Sequence, residues 1–217
     1  FPTNDAADKH YYAKWSAAKS YTVQWNLNDN TPVGHAANNP NTVASYTVED
    51  ADITVHPATR TGYTFEGWYD NPGFTGTPVT SLHTMDAENK NYYAKWSAAP
   101  NSYPVNYVLN DGIPAGHPAT NPNTVTSYTV LDPNVTLAPA TRTGYDFEGW
   151  YDNAAFSGTP ITGFPVSDAV NKHFYAKWSA PKNYTVNWNL NDSSPAGHPA
   201  NNPNTVTSYT VTDRKST

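Results

Sequence analysis

The segment TRTGYTFEGWYDN, residues 59–71, brings two carboxylates within four positions of each other, at Glu66 and Asp70. A near-copy, TRTGYDFEGWYDN, repeats the pair as Glu148 and Asp152. Glycoside hydrolysis needs two carboxyl groups at a set separation, so the pair could be catalytic. We expect instead solvated acids on a strand face and in a turn, because binding sites are few per protein and this pair recurs in every copy of a small module. The sequence therefore predicts no catalytic residues and no enzyme.

A second candidate chemistry is metal binding in a loop rich in Asn and Pro. Each copy of this loop carries one histidine: His35, His117 and His198. A zinc site needs several converging ligands, and no second histidine or acid–histidine cluster accompanies these. Oxygens of Asn28, Asp29 and Asn30 could hold Ca²⁺, but the regular acidic spacing of calcium loops is missing. Turn-forming Asn and Asp explain the loop without an ion, so we expect no metal and no cofactor.

A lysine stands beside a tryptophan in each YAKW motif, at Lys14, Lys95 and Lys177. Such a lysine could form an intramolecular isopeptide bond with a buried asparagine. The other interpretation is a lysine stem that packs on the surface and keeps its charge in water. We expect the second.

The aromatic side chains could stack on sugars or fill a core. Three equivalent positions vary and stay aromatic: Tyr11, Tyr92 and Phe174. We expect packing, because rings of this size are usually mostly buried and each removes on the order of 150–250 Å² from water. The sequence leaves open whether Trp68 and Trp150 point into that core or out of it.

These residues belong to an internal repeat. YTVQWNLND, YPVNYVLND and YTVNWNLND start at Tyr21, Tyr103 and Tyr184, and the two complete copies align with no insertion or deletion. The predicted organisation has four parts. They are 1–20, the tail of a preceding repeat with a linker; 21–102 and 103–183, two full repeats with linkers; and 184–217, the first part of a further repeat.

Within a repeat, YTVQWNL alternates in polarity and predicts a half-buried strand, whereas the Asn- and Pro-rich segment 28–42 predicts a loop. Glycine inside a strand often marks a bulge, so a bulge at Gly67 would bring both Phe65 and Trp68 to the inner face. SLHTMDAENK predicts a helical turn, and NYYAKW predicts a closing strand. We expect four or five short strands and at most one short helix per repeat, a mainly β or α+β fold.

Composition excludes several partners. The formal net charge is −6 with only 12 Lys and Arg, so no basic surface is available for nucleic acid or anionic lipid. The absence of cysteine excludes disulfides and thiol chemistry. No apolar run reaches the roughly 18 residues of a membrane helix, so no membrane insertion is expected in this segment. The chain looks like part of a longer protein.

Together the motifs Y-x-V-x-W/Y, RTGYxFEGWYD and YAKW resemble the Listeria–Bacteroides repeat, or internalin B-repeat, family of bacterial cell-surface proteins. The resemblance covers both full repeats and both end segments. It implies tandem β-grasp-like (ubiquitin-like) modules in an extended array. It also implies an extracellular location on the cell surface, in secreted adhesins and cell-wall proteins.

Three functional hypotheses follow. The first is a structural stalk or spacer, because joints of five or six residues, two of them containing Pro100 or Pro181, limit swing between adjacent repeats. The second is multivalent binding of carbohydrate or host-matrix proteins. The third is self-association into head-to-tail fibres, with the strands from Tyr184 pairing with the segment Tyr11–Trp15 of a neighbouring molecule.

Overall fold

The computed structural model describes residues 7–113, 116–190 and 201–213. The chain divides into two compact units, Phe1–Ala99 and Pro100–Thr217. Each unit contains one complete repeat, and each is mostly β-structure in small sheets. The mainly β fold predicted from the sequence is confirmed.

The first complete repeat is built on a four-stranded sheet. Its strands are β1 (Tyr21–Asn26), β3 (Ser45–Tyr46), β6 (Phe65–Tyr69) and β8 (Lys90–Trp96), in the order β3-β1-β8-β6. β1 and β8 lie parallel in the centre, with Val23 opposite Lys90 and Asn26 opposite Tyr93. The alternation in YTVQWNL places Val23 in the core and its neighbours Thr22 and Gln24 in solvent.

Four further strands of two residues each form two antiparallel pairs. They are β2 (Ala37–Asn38), β4 (Ile53–Thr54), β5 (Thr59–Arg60) and β7 (Ser81–Leu82), paired as β2–β5 and β4–β7. The prediction of four or five strands was therefore too low, and β2 lies inside the predicted loop. A two-residue strand has no periodicity to read, so only its tertiary partner reveals it. The predicted helical turn is present as a 3-10 helix, Thr84–Asp86.

The predicted bulge in β6 is confirmed. The register against β8 shifts between Phe65 and Gly67, so that Phe65 lies opposite Trp96 and Trp68 opposite Ala94. Gly67 has φ +131°, and a Cβ there would lie 2.7 Å from the Cβ of Pro78. A side chain at this position would be strained and would also collide with the proline. The bulge turns Trp68 inward, where it is 1% exposed.

The core of the repeat is an aromatic cluster between the sheet and the short strand pairs. Trp68 packs edge-on against Trp25 and Phe65, with ring centroids 5.0 and 5.7 Å apart, and Trp25 packs on Tyr92 at 5.0 Å. Edge-to-face geometry at these distances is the favourable arrangement for aromatic pairs. Aliphatic side chains such as Leu82 complete the cluster.

The second complete repeat has the same architecture. Its long-sheet strands are β9 (Tyr103–Val108), β11 (Ser127–Tyr128), β14 (Phe147–Tyr151) and β16 (Lys172–Trp178), in the order β11-β9-β16-β14. Its short strands are β10 (Ala119–Thr120), β12 (Val135–Thr136), β13 (Thr141–Arg142) and β15 (Gly163–Phe164), with a 3-10 helix at Val166–Asp168. The bulge recurs in β14, and β9 and β16 lie parallel in the centre of the sheet. Tyr107 replaces Trp25, and Phe164 replaces Leu82.

The end segments are less complete. Residues 7–16 contain no strand, and Tyr11 and Trp15 are 71% and 87% exposed. After the second repeat, β17 (Tyr184–Thr185) pairs antiparallel with β18 (Ser208–Tyr209), which reproduces the β1–β3 pair. Within the described part of the chain, no strand pairs with the other edge of β17, the edge at which β8 pairs with β1 in the first repeat.

Candidate functional site

The two carboxylate pairs are engaged with neighbouring side chains. Glu66 lies on β6 and its Oε2 is 3.0 Å from Nζ of Lys95 on the adjacent strand β8. Asp70 follows the end of β6, and its Oδ1 accepts a hydrogen bond of 2.8 Å from the amide of Asn71. The hydrogen bond with Glu66 raises the pKa of Lys95, so the lysine keeps its charge near neutrality.

The second repeat reproduces this arrangement. Glu148 Oε2 is 2.9 Å from Nζ of Lys177, and Asp152 accepts a hydrogen bond of 2.9 Å from Asn153. Both lysine–glutamate pairs are partly exposed, and ion pairs of that kind contribute little to stability because water screens them. The lysine amines therefore face carboxylates and not the asparagine that an isopeptide bond would need. Lys14, in the first end segment, is exposed.

The Asn- and Pro-rich loop uses its polar groups to fix its own main chain. Asp29 Oδ2 accepts a hydrogen bond of 2.7 Å from the amide of Ala37, and Asn28 donates to the carbonyl of Ala94 at 2.9 Å. Asn30 is exposed. Among the described residues, no three acidic, histidine or cysteine side chains come together as a metal site would require.

The loop histidines contribute main-chain carbonyls. The carbonyl of His35 accepts a hydrogen bond of 2.8 Å from Nε of Arg60, and the carbonyl of His117 accepts one of 2.9 Å from Nε of Arg142. The ring of His35 packs edge-on against Tyr63 at 6.3 Å. His198 lies outside the described residues.

Arg60 is the important residue that sequence reasoning missed. It is 6% exposed, and its Nη2 donates to the carbonyls of Asp29 and Thr31 at 3.2 and 2.9 Å. Its guanidinium also lies 4.3 Å from the ring centre of Tyr63, a cation–π distance. Five donors in a planar fork suit arginine for gathering several carbonyls of one loop. The recurring RTGY motif next to a loop rich in turn residues is the signal that could have found it.

Arg142 does the same in the second repeat. Its Nη2 donates to the carbonyls of Asp111 and Ile113 at 3.1 and 3.0 Å, and its guanidinium lies 4.1 Å from the ring centre of Tyr145. In both complete repeats the loop is thus held in place by one buried arginine. A buried guanidinium used in this way is a structural clamp.

Trp68 and Trp150 are both core residues, 1% exposed. Their indole Nε1 groups donate 2.9 Å hydrogen bonds to the carbonyls of His56 and Ala138. Neither ring can stack on a sugar in this position. Tyr92 and Phe174 are also buried, whereas their equivalent Tyr11 is exposed.

One surface depression recurs in both repeats beside the 3-10 helix. It measures about 380 Å³ in the first repeat and about 500 Å³ in the second. Asp86 and Lys90 line the first copy, joined by an ion pair of 2.7 Å, and Asp168 and Lys172 line the second, 2.5 Å apart. Although burial lowers it, hydrogen bonds with Asp86 and Glu88 hold the pKa of Lys90 above its ordinary value. The depression therefore presents a fixed acid–lysine pair.

Comparison with known proteins identifies the repeat. The Listeria-Bacteroides repeat domain family matches residues 21–95 and 103–177. A protein of Evansella cellulosilytica, whose name describes it as a Gly-rich membrane protein, is 30% identical over 196 residues. The aligned region is 87% of this chain and 20% of that protein, so the chain spans about a fifth of its relative's length. No solved structure was found to match. Within the described residues, no helix has the length and apolar character to cross a bilayer.

Proposed function

The chain belongs to the Listeria-Bacteroides repeat domain family, and from this premise we propose that it is a non-catalytic spacer segment of a bacterial surface protein. One observation carries the proposal: the residues that could do chemistry are used by the fold itself. Trp68 is buried and bonded to a carbonyl, Arg60 clamps a loop, and Glu66 pairs with Lys95. A module whose recurring polar and aromatic groups serve its own packing is suited to a mechanical role.

The module we propose is β-grasp-like. Its support is the sheet order, in which the first and last strands of the repeat lie side by side and parallel at the centre, flanked by antiparallel neighbours. Each repeat then begins and ends on adjacent strands of one sheet. A tandem array of such modules, joined by short linkers, would extend along one direction and hold a distal domain away from the cell.

Small-angle X-ray scattering on the full chain tests the spacer role. A compact protein of this length would have a radius of gyration of about 17 Å. We expect a clearly larger value and an elongated distance distribution. Replacing Pro100 and Pro181 by glycine should broaden the distribution, because glycine loosens the joints. A compact profile of the unaltered chain would overturn the proposal.

A second candidate function is multivalent binding through the recurring depression. Its fixed pairs, Asp86–Lys90 and Asp168–Lys172, could hydrogen-bond a polyhydroxylated ligand, and two weak sites on one chain would give avidity. The test is a glycan array probed with the full chain and with the double variant D86N/D168N. Binding lost in the variant supports this function. A flat array with folded protein refutes it.

Self-association is a third candidate, supported by two exposed edges. In both complete repeats the first strand pairs in parallel with the last strand of the same repeat, with Val23 opposite Lys90 and Val105 opposite Lys172. The segment KHYYAKW, residues 9–15, matches that closing strand and is exposed, and Trp188 beside β17 is 48% exposed. Light scattering should then show an average molecular mass that rises with protein concentration, and the W15A variant should abolish this rise. A concentration-independent monomer would refute it.

A further inference from the structure

A turn of the second repeat holds a glycine against a residue of the segment that follows. Gly144, two residues after the end of β13, has φ +81°. A Cβ at this position would lie 2.5 Å from Cγ2 of Val211 and closer still to Cγ1. Atoms cannot approach so closely, so the methyl groups of Val211 occupy the space that any side chain at position 144 would need.

The linker after the second repeat returns to the same turn. The amide of Lys182 donates a hydrogen bond of 2.8 Å to the carbonyl of Gly144, and its Nζ lies 2.6 Å from Oδ1 of Asp146. Upstream in the linker, Ser179 exchanges two 2.9 Å hydrogen bonds with Asp146, one in each direction. The linker is therefore bound to the turn along its length, and the backbone bond does not depend on side-chain identity.

From these contacts we propose that the Gly144 turn and the linker 179–182 form a socket that receives Val211 and so fixes a following repeat to the one before it. The partner is the β17–β18 strand pair of a following repeat with a small apolar side chain at the Val211 position. The proposal rests on the spacer function above and adds the residues that set the stiffness of the joint.

The apolar contact is the part of the joint that decides its strength. The Lys182–Asp146 pair is partly exposed, and exposed ion pairs contribute little. Val211, in contrast, is half-buried, and its methyl groups lie against a surface that only glycine can provide. The two contacting surfaces differ, the glycine turn lying on one repeat and the valine on the next. Head-to-tail interfaces of this kind can be repeated from module to module along an open array.

A pair of glycine variants tests the socket in the full chain. Gly158 also has a positive φ, +87°, but nothing lies within 4 Å of a Cβ built there. G144A and G158A thus share the backbone strain and differ in the contact with Val211. Hydrogen exchange of the Lys182 and Val186 amides, which bond to Gly144 and Thr207, reports whether the following segment stays docked.

We expect G144A to speed exchange at both amides by about tenfold, less than the loss of a fully buried aliphatic side chain would give, because Val211 is half-buried. G158A should leave both amides unchanged, and amides of β16 should exchange equally in the two variants. Equal rates at Lys182 in G144A and G158A would overturn the proposal.

V211A approaches the socket from the other side and introduces no strain in the turn. We expect faster exchange at Lys182 here as well, and an unchanged rate would refute the socket. Scattering separates this proposal from the spacer function. A compact profile with an intact socket response refutes the spacer alone, whereas an extended profile with no response in either variant refutes the socket alone.

Discussion

Two tyrosines of the second repeat, the partly buried Tyr107 and the buried Tyr128, should respond in opposite directions to replacement by phenylalanine. The hydroxyl of Tyr107 is buried and has no hydrogen-bond partner among the residues that the structure describes. The hydroxyl of Tyr128 donates to the carbonyl of Val170 at 2.6 Å and accepts from its amide at 3.2 Å. We therefore predict that Y107F stabilises the repeat and that Y128F destabilises it.

The magnitudes follow from the cost of an unpaired polar group. A buried hydroxyl without a partner costs about 1–3 kcal/mol, and removing it leaves the ring packing intact. Y107F should raise the free energy of unfolding by about 1 kcal/mol. Y128F deletes a hydroxyl that bonds twice and leaves a carbonyl unpaired, so it should lower that free energy by about 1–3 kcal/mol. Burial raises the pKa of Tyr107, which agrees with a desolvated hydroxyl.

The unpaired hydroxyl has a structural origin. The first repeat carries Trp25 at this position, and its Nε1 donates to the carbonyl of Val43 at 2.9 Å. Trp188 makes the equivalent bond to Val206 at 2.8 Å. An indole N–H leaves the side of the ring system, whereas a phenol hydroxyl leaves its tip. Tyr107 therefore points its polar group away from the carbonyl that a tryptophan reaches.

Hydrogen exchange read by mass spectrometry resolves the two repeats, because the β8 and β16 peptides differ in sequence. The slowest amides of β16 report full opening of the second repeat, and those of β8 serve as the internal reference. A change of 1.4 kcal/mol is tenfold in rate under these conditions. Y107F should slow exchange in β16 by about fivefold, and Y128F should speed it by fivefold or more. Equal or faster exchange in Y107F would contradict this prediction.

Three further outcomes are expected. Burial raises the pKa of Tyr92 to about 12. The unfolded chain therefore loses the hydroxyl proton of Tyr92 at a lower pH than the folded chain does. As a result, the free energy of unfolding of the first repeat should fall by up to about 2–3 kcal/mol between pH 10 and 12. In Y92F, the free energy of unfolding measured by urea titration should depend less on pH over this range. G67A should cost about 2 kcal/mol or more in thermal unfolding, well beyond G76A, because both glycines have positive φ and a Cβ would collide with Pro78 only at Gly67. E66Q should leave stability almost unchanged, since water screens its exposed ion pair with Lys95, and a clear loss of stability by calorimetry would contradict this.

The sequence predicts those features that depend on nearest neighbours along the chain. The bulge at Gly67 follows from one glycine between two aromatic residues that both need burial, and the strand β1 follows from alternation. The pairing of Ala37–Asn38 with Thr59–Arg60 does not, because two residues carry no period and their partner lies across the repeat. Arg60 was missed for a similar reason, since its acceptors are carbonyls, which leave no trace in the residue types of the loop.

That dependence on carbonyls also explains how the two repeats tolerate their differences. The indoles of Trp68 and Trp150 bond to position 56 in one repeat and its equivalent 138 in the other, where histidine becomes alanine without loss of the bond. The closing tryptophans, Trp96 and Trp178, likewise donate to main-chain carbonyls, at 2.7 Å in both repeats. Because the acceptors belong to the backbone, the side chains that carry them are free to change. A repeat held together in this way can change the residue at an acceptor position without losing the hydrogen bond that the position accepts.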